Sequence, residues 1–291
     1  MNFSNEQLKA LQNEELNILE DFIRVCKELN CKYYLFGGTL LGCIRHQGFI
    51  PWDDDIDVCM PREDYEIFLE KGQELLKRNH FIQNYKTDKE FTWGFSKIRN
   101  SETTFVEPIH SNANINHGVY IDIFPLDGFK TSKLYKFKNT LIKCFLNIQI
   151  SKHRPKENAY KYSLKKRGKK LFKFLFLNGI SNLLYSKKTL SELLEIKDNN
   201  AKKVSFEESI YVCSNLDPIY QYNIKLYRKE YFGEGLIKQF NELQVYVPKE
   251  FDKVLNISYG DYMKLPPEDQ RIPKHNIEII DLNKTYKEYK K

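Results

Sequence analysis

Residues 53–57 read Asp-Asp-Asp-Ile-Asp, and Val58, Cys59 and Met60 follow without a polar break. Alternation along an extended chain sets Asp53, Asp55 and Asp57 on one side and Ile56, Val58 and Met60 on the other. The apolar side belongs in a core, so a strand over 53–60 would display three carboxylates within about 14 Å. Such charges repel one another unless something cationic lies among them. A divalent metal would answer that repulsion; a solvated acidic turn is the alternative. Hard oxygen donors with no nearby Cys or His cluster favour Mg²⁺ or Mn²⁺ over zinc. A second carboxylate, Asp122, stands between Ile121 and Ile123 in the run 119–124. A charge there must be paired, ligated or placed at a cleft, and a share in the same metal site is expected.

Gly37-Gly38-Thr39 lies upstream, between a short aromatic run and a short helical one. Two glycines allow a phosphate close to the backbone, Thr39 can cap the helix, and a helix N-terminus favours an anion. A plain tight turn is the competing reading.

The elements that must position these residues follow from periodicity. Ser4 with Gln7 fits a capping box, and Leu8, Leu11, Ile18, Phe22, Cys26 and Leu29 recur at helical steps. Tyr33–Phe36 reads as a buried strand, 39–46 as a helix closed by Gly48, 53–60 as a strand and 62–78 as a helix. Strands are expected over 92–98, 103–107, 119–124 and 243–247, with Pro248 opening a helix. Leu134, Phe137, Leu141, Phe145 and Ile148 mark one further helix, and Leu164, Leu171 and Leu175 another, with Lys165, Lys166, Arg167, Lys169 and Lys170 on its flank.

Composition limits the function classes. The 291 residues are 41% hydrophobic and 29% charged, as in a globular protein. No apolar run reaches the roughly 18–20 residues of a membrane span. The acidic, helix-patterned N-terminus does not resemble a signal peptide. Six cysteines are scattered without a CxxC pair, so buried thiols are expected rather than a disulfide framework or zinc site. The formal net charge of +7 conceals a block, 130–203, with 20 Lys/Arg against 4 Asp/Glu. Three readings compete for it: a solvated helical face, attraction to an anionic membrane leaflet, or nucleic-acid binding.

The stretch GGTLLGCIRHQGFIPWDDDIDVCMPREDYE, then GVYIDIFPLDG, resembles the LicD family of phosphocholine transferases, whose eukaryotic relatives include the fukutin group. The late segment YVPKEFDKVLNISYGDYMKLPPEDQR is also similar to that family's C-terminal motif. The resemblance implies an α+β, nucleotidyltransferase-like mixed sheet flanked by helices. The core would comprise 1–128 and 204–291, interrupted by a mostly helical basic insertion, 129–203. It implies metal ligation by Asp55, Asp57 and Asp122, with Asp53 as a further ligand or base, and a phosphate-facing turn at Gly37, Gly38 and Thr39.

The reaction it implies moves phosphocholine from CDP-choline to a sugar hydroxyl of a cell-surface glycan or glycolipid precursor. The alternatives are another CDP-alcohol donor, such as CDP-ribitol or CDP-glycerol, and a non-catalytic glycan- or membrane-binding relative. In that chemistry Asp122 or Asp53 could accept the hydroxyl proton, and Arg45 could reach a phosphate. Lys97 and Arg99, two apart on a strand, could form a cationic clamp. Arg271 and His275 follow in the family-like tail, His275 being able to orient a carboxylate or phosphate. Trp93 and Phe95 could stack on choline or cytosine, with core packing the better reading and no choline pocket assigned. The expected partners are a CDP-activated donor, a free or lipid-linked glycan acceptor and an anionic membrane surface. Nucleic acid is not expected, because no helix-turn-helix, RNP or zinc motif accompanies the basic block. The expected location is cytoplasmic, peripheral at the inner face of the membrane.

Overall fold

A computed structural model describes residues 4–153, 168–214 and 225–289. Helix α1 (Asn5–Leu29) starts at the predicted capping box: Ser4 Oγ accepts from Gln7 N–H, and the Gln7 side chain accepts from Ser4 N–H. Its stripe of Leu8, Leu11, Ile18, Leu19, Phe22 and Val25 is buried against the sheet. Strand β1 (Tyr34–Leu35), helix α2 (Gly37–His46), strand β2 (Asp57–Pro61) and helix α3 (Arg62–Leu75) follow. Then come strands β3 (His80–Gln83), β4 (Ser96–Asn100), β5 (Thr104–Val106) and the long β6 (Val119–Phe129).

The helices α4 (Lys133–Ile150), α5 (Gly168–Tyr185) and α6 (Leu190–Ala201) occupy the basic stretch. After them lie β7 (Tyr211–Ser214), β8 (Tyr227–Arg228), the hairpin β9 (Leu236–Phe240) and β10 (Leu243–Val247), α7 (Phe251–Tyr259) and β11 (Ile279–Asp281). The fold is α+β.

The main sheet runs β1-β2-β6-β4-β3, with β7 on the far half of β6 and β8 on β7. Only the β2–β6 pair within it is parallel. Strand β6 is buried along its full length because helices cover it and three strands share its edges. Helices α4, α5 and α6 pack on one another through Gln149–Ser181 and Asn139–Asn200 bonds. A small cluster of Tyr85, Leu146, Ile150, Leu193 and Leu194 and an ion network join them to the core: Arg62 binds Asp127 at 2.6 Å and Asp198 at 2.9 Å.

Several expectations need correction. Residues 53–56 are not strand; β2 begins at Asp57, because the chain enters the sheet only where Asp57 and Asp122 come into register. Helix α2 begins at Gly37, so Thr39 lies inside its first turn rather than capping it, and the left-handed residue closing it is Gln47, not Gly48. Helix α7 starts at Phe251 after a turn, so Pro248 precedes the helix without opening it. The hairpin partner β9 carries no alternating pattern, being mostly exposed. Leu164 and Lys165–Arg167 lie outside the described residues, as do the side chains of Lys169, Lys170, Leu171 and Leu175. All six cysteines lie among the described residues; they form no disulfide, and five are buried. No described helix is long and apolar enough to cross a membrane.

Candidate active site

The register of three strands builds the floor of the site. Asp57 on β2 stands beside Asp122 on β6, and Asp122 stands beside Lys97 on β4. Three charged side chains therefore share one face in a row, as the strand period requires. Lys97 Nζ lies 2.7 Å from Asp122 Oδ1 and 3.2 Å from the centre of the Tyr120 ring. Arg99 also stacks on Tyr120 and is fully buried, donating to Gln83 Oε1 and Gly118 O and lying 3.8 Å from Glu107. The clamp expected of Lys97 and Arg99 is thus already spent on protein partners: Lys97 on Asp122, Arg99 on the core.

The glycine turn closes over the row. Gly37 has φ +53, and a Cβ there would run into the Asp57 carboxylate; a Cβ on Gly38 would lie 2.9 Å from Asp53 Oδ2. Only glycine combines that backbone with that approach. Thr39 Oγ1 accepts from Asp57 N–H at 2.7 Å, so Thr39 fixes the start of β2 to α2. The first turn of α2, whose N–H groups lack intrahelical partners, faces the carboxylates.

Asp53 is buried, its carbonyl accepting from Gln12 of α1 at 2.8 Å and its Oδ2 having no hydrogen-bond partner. Asp54, which alternation would turn away from the site, accepts from the backbone N–H of Lys274 and His275 and pairs with His275 Nδ1 at 3.1 Å. Among the described residues, Asp54, Asp55 and His275 are the group whose ligand atoms lie within 4.8 Å of one another. Asp55, Asp57 and Asp122 are not drawn that close. Arg45 sits at the far end of α2, donating to Tyr262 O, and Arg271 stacks over Trp52 while donating to Pro266 O. Neither is brought to the carboxylates. Trp93 and Phe95 stack on each other, and Phe95 packs on Phe124, as core packing predicted.

Electrostatics show how crowded the site is. Burial, then the neighbouring Asp55, pushes Asp53 up to about 8. Burial also raises Asp57, reinforced by Asp55 and Asp122, and raises Asp55 and Asp122 against the opposing pull of His275 and Lys97 respectively. His275 goes the other way: burial would lower it, but Asp54 and Asp55 carry it up to about 10, so it is an imidazolium at neutral pH. Burial would likewise raise Glu107, but Lys97, His110 and Arg99 hold it down to about 2. A cluster whose acids resist ionising together, with an orphaned carboxylate oxygen and a glycine cradle, fits a divalent cation, which reverses that local logic.

Sequence reasoning passed over Asp54, Glu15 and Glu107. Glu15 is buried on α1 with Oε2 unpartnered, and burial and then Asp55 raise its carboxyl well above the usual range. Its signal was present: an acid occupies the gap between Leu11 and Ile18 in an otherwise apolar stripe. Asp54 had none, since its partner lies 221 positions away.

The family described as LicD/FKTN/FKRP, nucleotidyltransferase domain, matches residues 30–163. The lipopolysaccharide cholinephosphotransferase LicD of Haemophilus influenzae is 32% identical over 272 residues, 89% of this chain and 92% of that protein. An uncharacterized protein of Rickettsia prowazekii is 44% identical over 63 residues, 22% of this chain and 23% of its own, and one of Rickettsia typhi is 45% identical over 56 residues, 19% and 18%.

Proposed function

Because this chain belongs to the LicD family, we propose that it transfers phosphocholine from CDP-choline to a sugar hydroxyl of a cell-surface glycan or glycolipid precursor. The Haemophilus influenzae relative is named for cholinephosphate transfer involving lipopolysaccharide, and this chain matches it over nearly its full length. The observation that carries the reading is the carboxylate row, half-buried Asp57 beside buried Asp122, under a glycine turn whose Gly37 has no room for a side chain.

Asp55, Asp57 and Asp122 would hold Mg²⁺ or Mn²⁺, with Asp53 as a further ligand. Bound there, the cation supplies charge neutralisation to a pyrophosphate and its leaving CMP. The chain's own groups do the rest. The α2 N-terminus offers backbone N–H groups where a phosphate can approach Gly37 and Gly38. His275, positively charged and anchored by Asp54, sets a cation beside Asp55. As the alternative to ligation, Asp53, whose Oδ2 has no protein donor, would accept the proton of an attacking hydroxyl.

The test is phosphorus NMR of the purified protein with Mg²⁺ and CDP-choline, CDP-ribitol or CDP-glycerol, with and without glycan acceptors. Mg²⁺-dependent CMP release from CDP-choline is expected, reduced at least about a hundredfold in Asp55→Asn with circular dichroism unchanged. Release from one of the other donors instead would overturn the choline assignment, and an active Asp55→Asn would overturn the site.

A further inference from the structure

Helix α4 turns the wrong face to the protein. At about 100° per residue, Leu134, Phe137, Leu141, Phe145 and Ile148 fall within an arc of about 80°. That is the stripe a core-facing helix should bury. The residues α4 actually buries are Asn139, Leu146, Gln149 and Ile150, centred about 140° around the helix. Leu134 and Phe137 are each 63% exposed, and Leu141, Phe145 and Ile148 remain partly exposed. Two of the four buried residues are amides, each bonded to a neighbouring helix: Asn139 to Asn200, Gln149 to Ser181. The inward face thus combines two hydrogen-bonded amides with Leu146 and Ile150 of a small apolar cluster, and the longer apolar stripe is left over.

Charge identifies what that face meets. Lys133 and Lys138, both exposed, border the stripe on its two sides, and Lys136 lies further around the same end. The last turn of α5, bonded to α4 at the Phe145 carbonyl, adds Leu183 at 85% and Leu184 at 54% exposure, followed by exposed Lys187 and Lys188. The surrounding sequence, 130–203, carries 20 Lys/Arg against 4 Asp/Glu. Apolar side chains flanked by lysines suit a layer with an apolar interior and an anionic surface. RNA would engage only the charged half of that combination.

We propose that the outer face of α4, with the end of α5, docks this protein on a membrane surface containing anionic phospholipid. Leu134 and Phe137 enter the headgroup boundary, while Lys133, Lys138 and their neighbours contact lipid phosphates. The docking is independent of the transfer chemistry, since none of these residues belongs to the carboxylate site.

Co-sedimentation of the full chain with phosphatidylcholine vesicles, or with vesicles containing about one-third phosphatidylglycerol, tests this directly. Partition onto the anionic vesicles at about 0.1 M NaCl should exceed that onto neutral ones at least tenfold and fall steeply by about 0.5 M. Combined Leu134→Ser and Phe137→Ser should reduce it at least tenfold. Combined Lys133→Gln and Lys138→Gln, at solvated positions that leave folding untouched, should reduce both the partition and its salt dependence. Equal binding to both vesicle types would overturn the proposal, as would unchanged binding of the Leu134/Phe137 variant. Displacement from vesicles by a polyuridine competitor that binds more tightly would reassign the basic face to nucleic acid.

Discussion

At the scale of single residues, protonation decides the state of the site. Without a cation, Asp53 titrates at about 8, above the roughly 4 of an unfolded aspartate. Between those values the native chain holds more protons than the unfolded one, so its stability falls as pH rises. His275, carried from 6.5 to about 10, stabilises fully below 6.5 and loses that contribution as pH rises toward 10. Both effects run the same way. Thermal unfolding in EDTA should therefore show a midpoint that drops from pH 5 to pH 9, with Mg²⁺ suppressing the drop. A flat profile in EDTA would contradict the buried acid cluster. Gly37 is the other sensitive residue. Gly37→Ala puts a side chain at φ +53 against the Asp57 carboxylate, costing about 1–2 kcal/mol in urea unfolding. By displacing Asp57 it should also lower CMP release about a hundredfold.

At the scale of elements, the site depends on three pieces that arrive from different directions. β2 and β6 bring Asp57 and Asp122 into register, α2 closes on them through Thr39, and the segment before β11 delivers His275 to Asp54. The helices of the basic stretch hang on a different device. Arg62 of α3 binds Asp127 of β6 and Asp198 of α6, with burial opposing its charge and both aspartates sustaining it. Arg62→Ala would leave Asp127 buried and unpaired, a loss of about 3–5 kcal/mol. Chemical denaturation should read that loss, together with weakened packing of Tyr85 on Leu193 and Leu194. A cost below about 1 kcal/mol would mean that α6 is held by its apolar contacts alone.

At the scale of the whole molecule, two surfaces of opposite character emerge. One is the acidic cluster of the core, Asp53, Asp55, Asp57 and Asp122 under the glycine turn. The other is the lysine-bordered apolar face of α4, which we propose docks on an anionic layer. We place the boundary between the parts carrying them near 129 and 203, where β6 ends and β7 approaches. An acceptor carried on a lipid would come to such an enzyme at the membrane surface, so vesicle binding and transfer to a lipid-linked acceptor should share one salt dependence. Transfer to a free glycan should lack it. Measuring both rates from about 0.05 to 0.5 M NaCl separates them.

The order of residues alone pointed to a candidate site and to most of the framework. Four aspartates in five positions, a lone Asp122 in an apolar strand, and a double glycine upstream of both could be read directly, as could the α+β class and the capped first helix. Local spacing carries that information, because the periods of strand and helix tie neighbouring residues to faces. The tertiary structure decided what each face meets. Lys97 looked available for a phosphate until register set it against Asp122, and Asp54 looked turned away until a residue 221 positions later reached it. The stripe on α4 marked a helix, but Asn139, Leu146, Gln149 and Ile150, on the other side of it, are what the fold buries. Periodicity says which residues stand together, but only long-range packing, where hydrogen bonds and ion pairs compete with apolar burial, chooses which of two faces is turned inward.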